Sequence, residues 1–411
     1  MIKKIVTIKK AINPFGGLNL VVDDLFKRRI PQLIDAHLGS RPKQAKYSYS
    51  DIILSWIFSN LCGAERLEDV KRLKRDLDTI PEIEMPSPDR IGGVFKSLAT
   101  PTVVFDKGKK VHEFNDHKQL NDLLLDLSIK LNLIKSDVLD YDNTIINTRK
   151  YDTRLTYKYT KGYQPGISFI KGIPVHIQNR NGNSNASYKI RSTVCSAIDL
   201  LESKGISVRK FRSDSAAYNI ALFDELDDRG IKFYVRMGSY KDMKKKMLWG
   251  PKWSSGYIGD KKADTAEIIH MPRGAKNEYR VIAKRQPTPD EGHAYYCIIT
   301  NDWDMEQCDL IHFFNQRGKE ERNFDALKND FNWRRLPFSF LNENTVFLII
   351  SAMAYCLFKY LIRKYGKKLG FIKQKHRLKN FIFYFISIVC VRIGEKLILY
   401  TDQSGFEELL E

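Results

Sequence analysis

The stretch Leu310 to Phe331, LIHFFNQRGKEERNFDALKNDF, holds one carboxylate between two bases at spacings that suit work on a phosphate. Read as one helix at 3.6 residues per turn, it places Phe314, Arg317, Glu321 and Lys328 in a narrow sector of one face. Phe313, Phe324, Leu327 and Phe331 fall on the adjoining sector and face a core. A carboxylate held there can ligate a metal. Bases four residues before it and seven after it can grip phosphates. An ordinary amphipathic helix with a solvated charged edge has the same pattern, so acids elsewhere in the chain must decide.

Two such acids lie upstream. VLDYDNTII alternates like a strand, so Asp140, Asp142 and Thr144 share a face. Val208 to Ser213 reads as a short strand ending at Asp214, and open α/β sheets build their sites at strand ends of that kind. Asp142, Asp214 and Glu321 are thus three candidate ligands from separate elements. Three converging carboxylates repel one another and raise each other's pKa unless a cation is present. Oxygen ligands with no His or Cys nearby select Mg2+ or Mn2+. Two such ions about 3.5–4 Å apart would clamp an in-line phosphoryl transfer.

The elements that position these acids follow from periodicity and turn residues. Residues 1 to about 110 read as helical, with candidates at Asp51 to Asn60 and Gly63 to Asp78. A Pro-rich break, MPSPD, follows at Met85 to Asp89, with Ser87 or Asp89 as the cap of the next helix. Gly162 to Gly182 reads as two strands with a turn at Gly172-Ile173-Pro174. Helices are expected over Ser187 to Ser203 and Tyr218 to Asp228, and strands over Ile231 to Met237 and Ala294 to Asn301. Residues 240 to 293, rich in Lys, Gly and Pro, look inserted. Trp249 and Trp253 sit there among bases, a pattern that suits stacking on an unpaired base and equally a small hydrophobic cluster. The plan is α/β. Gly318, inside the Leu310 to Phe331 stretch, costs a helix about 1 kcal/mol relative to Ala and hints at a close approach of DNA or another strand.

Composition agrees with a polyanionic partner. The 411 residues carry 68 Lys plus Arg against 49 Asp plus Glu, a formal net charge of +19. The six cysteines show neither CxxC nor Cys/His spacing, which argues against a zinc site or a disulfide framework and for a reducing, cytoplasmic setting. MIKKIVTIKKAINPFGG has no apolar h-region, so no signal peptide is expected. The apolar run Val346 to Ile362 is near the minimum spanning length, but contains Lys359; it is read as buried core, with no membrane contact expected.

LDYDNT (139–144), FRSDSAAYN (211–219), TNDW (300–303) and FFNQRGKEERNFDALKNDF (313–331) together resemble the DDE transposases of bacterial insertion sequences. The branch resembled is the cut-and-paste one with a β-rich insertion before the catalytic Glu. Its signature is Tyr, two residues, Arg, three residues, Glu, six residues, Lys; Phe314, Arg317, Glu321 and Lys328 match that spacing, with Phe in place of Tyr. MPSPDR and KGYQP also look like this group. The resemblance implies an RNase H-like catalytic domain interrupted by a β-rich insertion. The expected regions are 1–115 (helical, DNA-binding), 130–239 and 294–345 (the two parts of the core), 240–293 (the insertion) and 346–411 (C-terminal, helical). It further implies Asp142, Asp214 and Glu321 as catalytic ligands of two Mg2+ ions, replaceable by Mn2+, with Asp142 preferred over Asp140. Arg317, Lys328, Phe314, Trp249 and Trp253 are the expected DNA contacts, and a homodimer on double-stranded DNA is the expected assembly. The expected activity is cleavage at terminal inverted repeats and transfer of the 3′-OH ends. An inactive DNA-binding derivative, or a nuclease that cuts without joining, are the competing readings.

Overall fold

The computed structural model describes residues 12–108, 110–238, 241–249, 251–288 and 292–410. Within helices and strands, the side chains of residues 107, 241, 242, 244, 249, 319–321 and 410 also lie outside the described set. The chain forms two compact units, one of residues 1–99, 326–338 and 346–411, the other of residues 100–325 and 339–345.

The first unit begins with α1 (Gly16–Lys27), α2 (Ile30–Leu38), α3 (Tyr49–Leu61), α4 (Val70–Leu77) and α5 (Pro88–Ser97). The caps follow the sequence. Ser48 and Asp51 make a reciprocal capping box at the start of α3. Ser87 accepts from the Arg90 amide, with Pro88 pre-set at the first helical position of α5. The tilted rings of Trp56 and Phe347, 5.6 Å apart, sit in the core of this unit.

The second unit is built on one sheet of eleven strands: β1 (Val103–Lys107), β2 (Lys110–Asn115), β3 (Val138–Asn143), β4 (Gly166–Ile170), β5 (Ile173–Arg180), β6 (Lys210–Ser213), β7 (Lys232–Arg236), β8 (Ser254–Ile258), β9 (Lys261–His270), β10 (Tyr279–Pro287) and β11 (His293–Thr300). Their order across the sheet is β1-β2-β5-β4-β3-β6-β7-β11-β10-β9-β8. Among the described residues, only β3–β6 and β6–β7 pair in parallel. Parallel neighbours need a crossover, and the α7 (Ile190–Ser203) and α8 (Ile220–Asp228) helices that flank β6 in sequence supply the apolar cover; α6 (Lys118–Lys130) precedes β3. The β4–β5 hairpin turns through Lys171 and Gly172, at φ 49° and 80°, the two left-handed positions of a tight hairpin that glycine accepts without cost.

Period-2 alternation assigns each strand residue to a face. Phe233, Val235, Val281, Ala283 and Ile299 face the α7/α8 side. Tyr234, Ile282 and Ile298 face the other side with Leu310, Ile311 and Phe314 of α10 (Gln307–Asn315). A sheet covered on both faces explains uninterrupted apolar runs such as CII at 297–299.

Three sequence expectations are corrected. Residues 103–115, read as the end of a helical region, form the β1–β2 hairpin; VVFDK and KVHEFN are rich in β-branched and aromatic residues and lack helical periodicity. Residues 310–331 are not one helix: α10 ends at Asn315, Gln316–Lys319 is a 3-10 turn, and α11 (Glu320–Asn329) follows. Four residues at 120° each instead of 100° rotate α11 by roughly 80° relative to α10. The residues after 346 are not all helical, because Val389–Ile393 pairs with Lys396–Tyr400 as a hairpin. The run from Val346 lies in α12 (Leu341–Lys368), whose most apolar stretch is 94% buried, as a core helix is.

The strands at 254–287 do not stand apart. They continue the main sheet beyond β11 by successive antiparallel pairing, with α9 (Lys241–Trp249) preceding them.

Candidate active site

Parallel pairing of β3 with β6 sets the site. Tyr141 lies opposite Ser213, so Asp142 and Asp214 follow side by side at the same C-terminal edge of two strands about 4.8 Å apart. Asp214 caps a 3-10 turn (Ser215–Ala217), its Oδ1 accepting from the Ala216 amide at 2.9 Å. That bond fixes the carboxylate and leaves the second oxygen for other partners. Asp142 Oδ1 accepts from the Asn143 amide at 2.8 Å, and Oδ2 accepts from Arg317 Nη1 at 2.8 Å. The Asp142 and Arg317 side chains are 16% and 17% exposed, so this ion pair is largely withdrawn from water. Burial pushes the Asp142 carboxyl above the usual range; Arg317 opposes this, and the nearby Asp214 charge adds to it. The site therefore holds two neighbouring acids, with one guanidinium paired to the first.

Asp140 is on the same strand face but has a different fate. Arg212 binds it through Nε to Oδ1 at 2.7 Å and Nη2 to Oδ2 at 2.8 Å, both residues buried. Both carboxylate oxygens are occupied by one guanidinium fork, which makes Asp140 the partner of a buried ion pair. Arg212 also donates from Nη1 to the Phe313 carbonyl and lies over the Phe313 ring at 4.5 Å. It thus ties β3, β6 and the end of α10 together, the contact at Phe313 lying four residues before Arg317 of the 3-10 turn. Arg212 was missed from sequence. Its signal was available in FRSD, a base whose strand alternation points it to the same face as Asp214.

The remaining expected residues are distributed as follows. Phe314, expected at DNA, is buried, 9% exposed, in the α10 core cluster, with the Arg317 guanidinium 5.8 Å from its ring centre. The Tyr-to-Phe departure is consistent with a residue that packs. Glu321 occupies the first turn of α11, and its side chain lies outside the described residues. Lys328 is in the last turn of the same helix, on the part that belongs to the first unit. Phe324 anchors the start of α11 edge-to-face on Phe169 of β4 at 5.4 Å. Trp253 is half-buried against Tyr295, with Arg285 4.6 Å over its ring, so it belongs to a packed aromatic cluster on the sheet. The Trp249 side chain lies outside the described residues. Gly318 has open space where a Cβ would stand, among the described residues.

Residues 16–378 match the family model described as Transposase DDE domain group 1. The chain belongs to that family. It is a DDE transposase, whose partner is DNA and whose acidic site works with divalent metal ions. No curated protein matches. Among solved structures, the chain is similar to the piggyBac transposase synaptic complex with hairpin DNA, at 11% identity and a TM-score of 0.43, over 90% of this chain and 79% of that one.

Within this transposase, the described residues fit a metal in the chemistry of their donors. Asp142 and Asp214 offer carboxylate oxygens at one edge, and the positive charge balancing Asp142 is the Arg317 side chain.

Proposed function

We propose that this chain is the transposase of a bacterial insertion sequence. It binds the terminal inverted repeats, cleaves them, and transfers the freed 3′-OH ends to target DNA by a cut-and-paste route. The observation that carries this reading is the pair Asp142 and Asp214 at adjacent parallel strand ends, with Arg317 bound to the first. The five strands β5-β4-β3-β6-β7 support an RNase H-like core. In chain order they are numbers 3-2-1-4-5, the first three antiparallel and the last two joined in parallel. The three strands of residues 254–287 would then be the β-rich insertion.

Asp142, Asp214 and Glu321 would hold two Mg2+ ions, with Mn2+ able to substitute. When bound, such ions supply positive charge at the attacking and leaving oxygens of an in-line displacement. The chain's own groups do the rest. The Asn143 and Ala216 amides hold the two Asp carboxylates in place by one oxygen each. Arg317 balances the Asp142 charge before DNA arrives, and is long enough to swing to a flanking phosphate. Lys328, seven residues after Glu321, is the second phosphate clamp. Synapsis of two ends asks for two protomers, so the working form is a homodimer on DNA in the bacterial cytoplasm.

The test is strand transfer. Purified protein, a labelled repeat end, Mg2+ and a target plasmid should yield joined product. Asp214→Asn should keep DNA binding and lose cleavage, because an amide is not an anionic ligand. Cut ends without joining would favour a nuclease, binding alone an inactive derivative, and wild-type cleavage by Asp214→Asn would remove the acid from the site.

A further inference from the structure

Directly after Asp142 the chain leaves the main sheet and builds a small three-stranded one, which nothing above explains. Ile146–Asn147 pairs with Lys161–Tyr163, and Arg154–Leu155 pairs with the other edge of Lys161–Tyr163. This sheet prolongs the β3–β4 hairpin past the edge that carries Asp142, since Asn143 lies opposite Gly166 and Ile146 opposite Tyr163. Its outer turn, Thr156-Tyr157-Lys158-Tyr159-Thr160, stands about 13 Å beyond Tyr163 at 3.3 Å per residue.

That turn is tightly built. The Thr156 amide donates to the Thr160 carbonyl at 2.8 Å, the Tyr159 amide to the Thr156 carbonyl at 3.0 Å, and the Thr160 hydroxyl to Asn147 at 2.8 Å. Yet it presents its aromatics to solvent: Tyr157 is 64% exposed and Tyr159 88%. Tyr159 is held at φ 59°, a left-handed conformation that Gly or Asn adopts far more cheaply than an aromatic residue. Tyr151, 85% exposed, stands on the neighbouring loop, edge-to-face with Phe340.

The charge in the segment that carries these rings is mostly positive. Residues 143–163 hold five bases, Arg149, Lys150, Arg154, Lys158 and Lys161, and a single acid, Asp152. Asp152 is turned inward, accepting from the Tyr163 hydroxyl and the Leu341 amide. Of the bases, Arg154 is bound to Glu113 at 3.2 Å, and Lys158 lies 5.9 Å over the Tyr157 ring. Flat exposed rings interleaved with cations, with no outward acid, suit a nucleic acid strand whose bases stack on the rings while its phosphates meet the bases. A protein partner would have to match tyrosines standing in isolation on a cationic tip, and the charge favours a polyanion.

We propose that this tyrosine-tipped sheet is a stacking platform for unpaired bases of DNA next to the candidate active site, with Tyr157 and Tyr159 as the rings and Lys158 and Lys161 as the phosphate contacts. The inference rests on the DNA-processing reading above and assigns a strand-separated substrate to its entrance. Separated bases beside a cleavage site give the reacting strand room to bend into the acids.

The experiment is equilibrium binding in EDTA, by fluorescence anisotropy, to a blunt duplex and to the same duplex with an oligo-dT tail. Wild-type protein should prefer the tailed DNA. Tyr157→Ala with Tyr159→Asn, the second chosen because Asn tolerates φ 59°, should lose that preference by about 5- to 100-fold while blunt-duplex affinity stays within about 2-fold. An unchanged circular dichroism melt shows that the variant folds. Equal preference for tailed DNA in wild type and variant, or equal weakening on both DNAs, would overturn the proposal while leaving the cleavage reading intact. Wild-type protein that binds neither DNA would overturn both.

Discussion

The ion pair between Arg317 and Asp142 predicts an unusual dependence of stability on metal. At roughly 4 Å between charge centres and an effective dielectric near 20, the pair is worth about 4 kcal/mol of Coulomb energy. Removing one partner of a buried pair costs about 3–5 kcal/mol. Asp142 and Arg317 keep 16% and 17% exposure, which moves the expected cost of Arg317→Ala to about 2–4 kcal/mol in metal-free buffer. For a unit of this size that lowers the melting temperature by about 4–16 °C. Two further signs follow. Asp142 already has a raised pKa, from burial first and from Asp214, and losing Arg317 raises it further. A carboxyl whose folded pKa exceeds its unfolded one binds more protons when folded, so the variant should gain stability as pH falls through the raised value towards the unfolded one. Excess Mg2+ or Mn2+ should restore the variant more than it stabilises wild type, because in wild type the ion must displace the guanidinium. Differential scanning fluorimetry in EDTA and in metal, across pH 5 to 8, reads all three. If Arg317→Ala melts like wild type in EDTA, or if metal rescues both equally, Arg317 is not standing in for a cation and the site argument built on it fails.

Asp140→Asn should act on stability, leaving the buried Arg212 fork without its countercharge, and should cost about 3–5 kcal/mol in a denaturant melt; a stable variant that has lost only cleavage would make Asp140 the ligand instead of Asp142. Lys328→Ala should weaken end binding and reduce the log–log salt slope by about one unit, whereas Glu321→Gln should retain binding and lose cleavage; an unchanged salt slope, or a cutting Glu321→Gln, would take both from their roles. His176, buried on β5, is held neutral by burial with its pKa lowered to about 4. Its unfolded form takes up a proton below about pH 6.5, so stability should fall between about pH 6.5 and 4 by roughly 3 kcal/mol, and His176→Phe should flatten that limb of the curve. A variant with the same acid limb would clear His176 of the effect.

Local signals in the sequence were enough for most elements of the second unit. Alternation marked the strand at 138–143, and Gly172 marked the hairpin between 166 and 180. The Pro-rich break with Ser87 or Asp89 as cap marked the start of a helix, where the cap is Ser87, and these are effects that act over a few residues. The spacing of acids and bases pointed to metal-assisted chemistry on DNA, because residue type and net charge are properties of the chain before it folds. Tertiary structure decided what depends on partners distant in sequence. Asp140 and Asp142 are indistinguishable by period, and only the approach of Arg212 from β6 turns the first into a structural acid. Phe314 and Arg317 fit one helical wheel with Glu321. The 3-10 turn at 316–319 breaks that wheel, and the contacts of α10 with Tyr234 and Ile298 send Phe314 into the core. The strands at 254–287 read as inserted because their composition changes, yet backbone hydrogen bonding to β11 makes them part of the main sheet. Composition is a property of each residue alone, whereas pairing is a property of two distant strands, and the chain carries the second only in its folded form.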